Sequence, residues 1–278
     1  MSDVRVIDPL APDAMDAKTY ESFRRIIHQK AGIALGNGKQ ALMNARLAKR
    51  LRALHLPNYQ SYLDYLLKDD SQEEIVQLLD VISTNTTSFF REAEHFSRLG
   101  EILQGWYKKG NRRFRIWCAA ASTGEEPYTL SMVCQEALGP QVDLRILSTD
   151  ISTRVLRQCR QGEYPREKCE GIPTPWLHKY FRQGKSGTLS ANTLLRSPLT
   201  FARLNLMDTP YPMRGPFDVI FCRNVMIYFD QDGRRTFVEQ AHRLLSPGGY
   251  LFTGHAESLT GIALGFSPVQ PSVYRKTA

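Results

Sequence analysis

The run AAASTGEEPYT, Ala119–Thr129, sets hydroxyls, one glycine and two adjacent carboxylates where an apolar, β-rich run gives way to a helical one. Such a strand-to-helix turn is a ligand site, with Gly124 at the point where the backbone must approach the ligand closely. Dinucleotides are disfavoured. They need several glycines and a helix N-terminus free to hold pyrophosphate, whereas Glu125 and Glu126 would repel it. Two carboxylates attract a cationic ligand instead, and the ammonium and sulfonium groups of S-adenosylmethionine fit. The helix dipole alone would explain one glutamate, and charge does not say which.

Further polar residues stand where apolar runs end. Asp150 closes DLRILSTDI, where an acidic side chain can accept hydrogen bonds from both ribose hydroxyls, and Ser152 can cap the following helix in its place. FDVIFCRNVMIYF, Phe217–Phe229, brings Arg223 and Asn224 to the end of a strand. Asn224 donates and accepts, which suits an amino acid or an adenine edge. Asn205, after LTFARLNL, could meet adenine by the same logic. Tyr228 offers a hydroxyl or packs under the neighbouring helix. In STNTTSFFRE, Ser83–Glu92, exposed Phe89 and Phe90 would be costly, so this segment is expected to pack on the domain that follows and close its cleft. Arg91 could then hold a substrate carboxylate by a bidentate pair, or pair with Glu92 or Glu94.

The elements that must position these groups divide the chain. After a polar leader over residues 1–17, residues 18–82 repeat apolar residues three and four apart: Tyr20, Phe23, Ile26 and Ile27; Leu47, Leu51 and Leu54; Ile75, Leu78, Leu79 and Ile82. About four short helices are predicted, with loops near 32–38, 55–59 and 69–71. Residues 83–95 form the linker. Over 96–278, FRIWCAA, DLRILSTDI, LTFARLNL, FDVIFCRNV and GGYLFTGHA read as strands alternating with helices, which predicts an α/β domain with a parallel sheet and its ligand at the carboxyl ends of the strands. Residues 161–197 are too long for a simple connection. They are expected to form an inserted subdomain, with a small antiparallel sheet after a short helix near Trp176–Phe181.

Taken together, STNTTSFFRE, AAASTGEEPY, FDVIFCRNVMIYF and LFTGHAES resemble the chemotaxis receptor methyltransferases, the CheR family, and the similarity runs from Lys18 to near Tyr274. The resemblance implies a Rossmann-like S-adenosylmethionine methyltransferase domain with an inserted β-subdomain, preceded by a small all-α domain. It implies an enzyme that converts receptor glutamates to methyl esters, releasing S-adenosylhomocysteine. Carried over position by position, it places Asn85, Thr87, Arg91, Glu126, Asp150, Asn205, Leu206, Asn224 and Val225 on the cofactor. Of the adjacent glutamates it selects Glu126. Arg91 and Tyr228 are the expected catalytic residues. Arg46, Lys49 and Arg50, on a helix face opposite the leucines, with Arg52 beside them, would meet the acidic methylation helices of a receptor. Family members that dock on a receptor's C-terminal pentapeptide share a longer glycine-bearing loop than RQGKSGTLS, Arg182–Ser190, so no such tether is expected.

Composition narrows the alternatives. A net charge of +8, from 36 Lys and Arg against 28 Asp and Glu, favours an acidic partner. Nucleic acid is not expected, because no RNP-like strand, zinc finger or Gly-x-x-Gly clamp accompanies the charge. An RNA or small-molecule methyltransferase rests on charge alone, and a cofactor-binding adaptor without turnover must discount the polar residues of the cleft. Cys118, Cys134, Cys159, Cys169 and Cys222 lack clip spacing, so disulfides and metal are not expected. No apolar run approaches the roughly 20 residues of a membrane span, and Met1–Met15 lack the order of a secretory signal. The expected protein is a cytoplasmic monomer, not inserted in the membrane, that is recruited to chemoreceptor arrays.

Overall fold

The computed structural model of the chain describes residues 14–139, 141–262 and 265–277. Most of the leader expected over 1–17 therefore lies outside the described residues. The chain divides between Thr84 and Asn85 into two compact units.

The first unit is helical: α1 (Ala17–Ala31), α2 (Gln40–Leu54), α3 (Tyr59–Leu67) and α4 (Glu73–Ile82). The Asp16 carboxylate starts α1 by accepting the N–H groups of Lys18 and Thr19, each at 2.9 Å, and Gly32 ends it in the left-handed region at φ 65°. Tyr20, Phe23 and Ile27 of α1, Met43, Leu47 and Leu51 of α2, and Leu78, Leu79 and Ile82 of α4 are buried at the spacing of one helical face.

The single basic face expected on α2 needs correction. Arg46 and Arg50 each precede a buried leucine by one residue, about 100° round the helix, so they flank the apolar stripe and reach α4. Arg50 Nε donates to Glu74 Oε1 at 2.7 Å and Nη2 pairs with Oε2, while the Tyr62 hydroxyl donates to Oε1 at 2.7 Å. Arg46 caps the end of α4 through the Ile82 carbonyl and the Thr84 hydroxyl. Lys49 and Arg52 are exposed.

The second unit begins with α5 (Ala93–Lys108), β1 (Arg113–Cys118), α6 (Glu125–Ala137), β2 (Asp143–Asp150) and α7 (Thr153–Gln161). An insert follows: β3 (Glu163–Pro165), α8 (Thr174–Tyr180), β4 (Phe181–Gln183), β5 (Thr188–Ala191) and α9 (Thr193–Arg196). The chain returns through β6 (Leu199–Arg203), β7 (Phe217–Cys222), α10 (Gln231–Leu244), β8 (Leu245–Thr253), β9 (Phe266–Gln270) and β10 (Val273–Lys276). The main sheet runs β6-β2-β1-β7-β8-β10-β9, parallel as far as β8, with β10 and β9 antiparallel.

Alternation along the strands feeds two cores. Phe114, Ile116, Cys118, Val219 and Phe221 face α5 and α6, through Phe96, Leu99, Leu103 and Leu130. Trp117, Ile220 and Cys222 face α10, through Phe237, Val238 and Ala241. Because β1 lies between β2 and β7, the strand order reverses there, and a crevice opens at the carboxyl ends of these strands. The insert is antiparallel in the order β3-β5-β4. Its first strand precedes the short helix, so the expectation of a sheet wholly after that helix is corrected. The sheet is closed by pairing β5, late in the chain, between β3 and β4, which no local pattern announces.

Candidate active site

The loop after β1 is held from three sides. Ala119 N donates to Phe221 O at 2.7 Å and Ala121 N to Thr149 O at 2.8 Å, extending the strand ladders into the turn. Ser122 N donates to Asp150 Oδ2 at 2.8 Å, and Ser122 Oγ donates to Asn85 O at 2.9 Å. Asp150 also accepts from Ser152 N at 2.9 Å, and Ser152 Oγ caps α7 by accepting Val155 N. The Asp150 carboxylate is thus fixed in orientation at the end of β2.

Gly124 is also required by the packing of the insert. It has φ 102°, and a Cβ there would lie 2.4 Å from the Tyr164 hydroxyl of the insert and 3.3 Å from Cys159 Cα. Packing of the insert, together with the left-handed backbone, requires the glycine. Tyr164 OH donates to Thr123 O at 3.0 Å, which ties the insert to the same loop.

The two glutamates that charge could not separate are separated by their partners. Glu125 is fully buried and bound by Lys168 Nζ at 2.9 Å and by the Thr123 hydroxyl at 2.5 Å, so it is a structural ion pair. Glu126 keeps a little exposure and receives Arg223 Nη1 at 2.7 Å and the Cys118 thiol at 3.3 Å. Burial raises its carboxyl above the ordinary range, against the pull of Arg223.

Arg223 was not given a role by the sequence. Its side chain is 1% exposed and stands between Glu126 and Glu92, whose Oε2 is 3.0 Å from Nη2. Burial opposes its charge, but Glu126 and Glu92 outweigh burial and its pKa rises. Glu92 is also opposed by burial, yet the hydrogen bond and charge of Arg223 bring it below the ordinary carboxylate value. The guanidinium pulls both carboxyls down, and the net shifts differ in direction because burial outweighs that pull at Glu126 and not at Glu92. Nearby, burial and the charge of Arg223 lower the His95 imidazole to about 4. Glu92, His95 and His255 could each offer a metal-ligand atom within 4.8 Å of the others. The Arg223 guanidinium already lies against the Glu92 oxygen, so a second cation there would be repelled.

The segment from Asn85 packs on the second unit as its phenylalanines require. Phe89 is 4% exposed in a cluster with Tyr128, Tyr164 and Phe181, and Phe90 lies against Phe96 and Trp176. Phe90 N donates to Thr129 Oγ1 at 3.3 Å. Thr87 is half-buried in this segment. Arg91 is half-buried and donates to Thr86 O at 3.0 Å, and among the described residues no carboxylate pairs with it. Glu92 pairs with Arg223 instead.

At the end of β7, Asn224 adopts φ 58°. Glu257, 2% exposed, holds it there: Oε2 accepts Asn224 N at 2.8 Å and Gly254 N at 2.7 Å, and Oε1 accepts Ile227 N at 3.1 Å. The Asn224 amide donates to Glu92 Oε1 at 3.2 Å. Val225 and Tyr228 are partly buried against the α10-side core. Sequence reasoning missed Glu257, although the acid in GHAES was visible, because two of its three backbone partners, Asn224 and Ile227, lie 33 and 30 residues away in another loop. Of seven described non-glycine residues at positive φ, Phe90, Glu92, Ser122 and Asn224 lie in this region, where such strain marks over-determined, functional backbone.

Asn205, at the end of β6, turns back on its own loop: its amide donates to Asp208 Oδ1 at 3.0 Å and its oxygen accepts Met207 N at 3.2 Å. Its exposure is 9%, and Leu206 beside it is buried. The five cysteines are buried and free. Among the described residues no helix is long and apolar enough to cross a membrane.

The ends of β1, β2, β6 and β7 and the segment before α5 therefore supply a carboxylate after β1, a second after β2, amide and apolar groups after β6 and β7, and an arginine without a carboxylate partner among the described residues. That donor set fits a ligand with a cationic end, a sugar diol and a flat polar ring. Family models agree with it. The CheR methyltransferase all-alpha domain matches residues 18–83, and the CheR methyltransferase SAM binding domain matches residues 85–274. A chemotaxis protein methyltransferase of Escherichia coli (strain K12) is 38% identical over 259 residues, covering 91% of this chain and 89% of that protein. Its counterpart in Borreliella burgdorferi is 34% identical over 260 residues, covering 91% and 92%. The solved N-methyltransferase NodS from Bradyrhizobium japonicum WM9, in complex with S-adenosyl-l-homocysteine, is 15% identical with a TM-score of 0.36, over 66% of this chain and 72% of that one, too slight a likeness to carry weight. With the helical unit, the methyltransferase sheet and these relatives in agreement over most of its length, the chain belongs to the CheR family of S-adenosylmethionine-dependent methyltransferases.

Proposed function

We propose that this enzyme methylates glutamate side chains in the cytoplasmic methylation helices of chemoreceptors, at receptor arrays, giving glutamate methyl esters and S-adenosylhomocysteine for sensory adaptation. The observation that carries this reading is Arg91. Arg223 and Lys168 are committed to glutamates, whereas Arg91 has no carboxylate partner among the described residues. A planar guanidinium of this kind suits a carboxylate brought by a substrate.

When bound, S-adenosylmethionine supplies a methyl group on a cationic sulfur, open to in-line displacement by oxygen. Glu126 would hold its cationic end, Asp150 the ribose hydroxyls, and Asn205, Leu206, Asn224 and Val225 the adenine side, with Asn85 and Thr87 closing the crevice. A glutamate with a pKa of about 4.3 is already ionised at neutral pH, so no general base is needed. Arg91 aligns it and Tyr228 orients it or lines its approach, and such alignment contributes as much as about 7–11 kcal/mol in well-oriented reactions. Lys49 and Arg52, exposed on α2, suit the acidic methylation helices. The β4–β5 connection spans Gly184–Gly187, and its shortness supports action without a receptor pentapeptide. The working unit is a single chain.

Labelled methyl from S-adenosylmethionine, offered with membranes containing chemoreceptors, should appear on the receptor and be released by mild base. Label that resists base, or none across a range of receptors despite calorimetric cofactor binding, would refute carboxyl methylation. Arg91→Ala should cut transfer strongly, and full activity with unchanged receptor affinity would remove Arg91 from this role. Micromolar calorimetric binding of an isolated receptor pentapeptide would refute the untethered mode.

A further inference from the structure

We propose that Arg223 is a positioning residue that locks the cofactor-facing carboxylate of Glu126 and the backbone beside Arg91 into one frame. The acceptor half of this inference rests on the role given to Arg91 above. Arg223 stands at the end of β7 and grips two segments far from it in sequence, 97 and 132 residues away. Nη1 donates to Glu126 Oε2 at 2.7 Å, and Nη2 donates to the Arg91 carbonyl and lies 3.0 Å from Glu92 Oε2. The rings of Phe96 and Phe221, 5.3 and 6.0 Å from the guanidinium carbon, wall its plane.

The backbone needs such a hold. Arg91 sits between Phe90 and Glu92, at φ 55° and 56°, a pair of left-handed non-glycine residues that relaxes unless something fixes the carbonyl between them. A lysine would keep the charge but not the fork: its single ammonium cannot meet Glu126, Glu92 and the Arg91 carbonyl with the same planar geometry. Arg223 itself needs no contact with cofactor or substrate to act in this way.

The test uses the full chain with Arg223→Lys, and Glu92→Gln as a second variant. Hydrogen exchange of amides 86–92, binding of S-adenosylhomocysteine by calorimetry, methyl transfer at saturating cofactor, and thermal unfolding are read in parallel. For Arg223→Lys we expect cooperative unfolding, exchange in 86–92 at least about tenfold faster, S-adenosylhomocysteine bound about tenfold more weakly, and transfer slowed by about 100-fold. Glu92→Gln leaves the Arg223–Glu126 contact in place. It should speed exchange in 86–92 and slow transfer about tenfold, with cofactor affinity held within about threefold, and it decides the matter if Arg223→Lys does not fold. Unchanged exchange in 86–92 overturns the proposal, as does a loss of affinity with a normal rate at saturation. If wild-type protein transfers no methyl to receptors, the methylation reading fails, while exchange and cofactor binding still judge Arg223.

Discussion

Replacing Glu257 with glutamine should destabilise the second unit and loosen the loop that carries Asn224. The carboxylate is 2% exposed and accepts three backbone N–H groups, from Asn224, Gly254 and Ile227, at 2.7 to 3.1 Å. Hydrogen bonds to a charged group contribute about 1.5–3 kcal/mol each, and a buried donor left unmet costs about 1–3 kcal/mol. Glutamine has one acceptor oxygen. If it faces Asn224 N and Gly254 N, two bonds survive in weaker neutral form and the new amide points its hydrogens at Ile227 N–H. The expected loss is about 2–4 kcal/mol, read as a lower urea midpoint with an unchanged slope. S-adenosylhomocysteine affinity should fall as well, because Asn224 keeps its left-handed backbone through this anchor. Stability within about 0.5 kcal/mol of wild type, the range of an ordinary surface change, would refute the reasoning.

Phe89→Ala should cost about 3–5 kcal/mol by emptying the space between Tyr164 and Phe181, and limited proteolysis should then cut first within the insert; an unchanged cleavage pattern would count against that packing. In the helical unit, Arg50→Ala strands the buried Glu74 carboxylate and should cost about 3–5 kcal/mol in urea unfolding, whereas Lys49→Glu with Arg52→Glu should leave stability within about 0.5 kcal/mol and weaken receptor methylation. Glu126, raised above its ordinary 4.5 by burial, takes up a proton as pH falls through that raised value, so calorimetric S-adenosylhomocysteine affinity should decline there and flatten in Glu126→Gln. Glu92, with a depressed pKa, contributes stability that is present above the unfolded value and lost as pH falls through the folded one.

How much could be read in advance depends on the range of the interactions. The helices of the first unit were legible because Tyr20, Phe23 and Ile27 or Met43, Leu47 and Leu51 repeat at the helical period, a property of neighbours in sequence. Strand alternation likewise announced the central strands and the loops at their carboxyl ends. The partner of each charge was not legible. Arg46 and Arg50 read as a free basic face, yet α4 claims both, and nothing near Gly124 in sequence announced that Tyr164 of the insert stands where its Cβ would be.

From the sequence alone come the division into a helical and an α/β part, the carboxylates after the first two strands, and the resemblance that predicted the family, because these depend on local period and on ordered motifs. Tertiary structure decided that Glu125 pairs with Lys168 while Glu126 pairs with Arg223, that Arg223 is a buried hub, that Glu257 anchors Asn224, and that Arg91 has no carboxylate partner among the described residues. Those outcomes depend on contacts as much as 132 residues apart, where burial and competition for a partner, and no neighbouring residue, set the state of each charge.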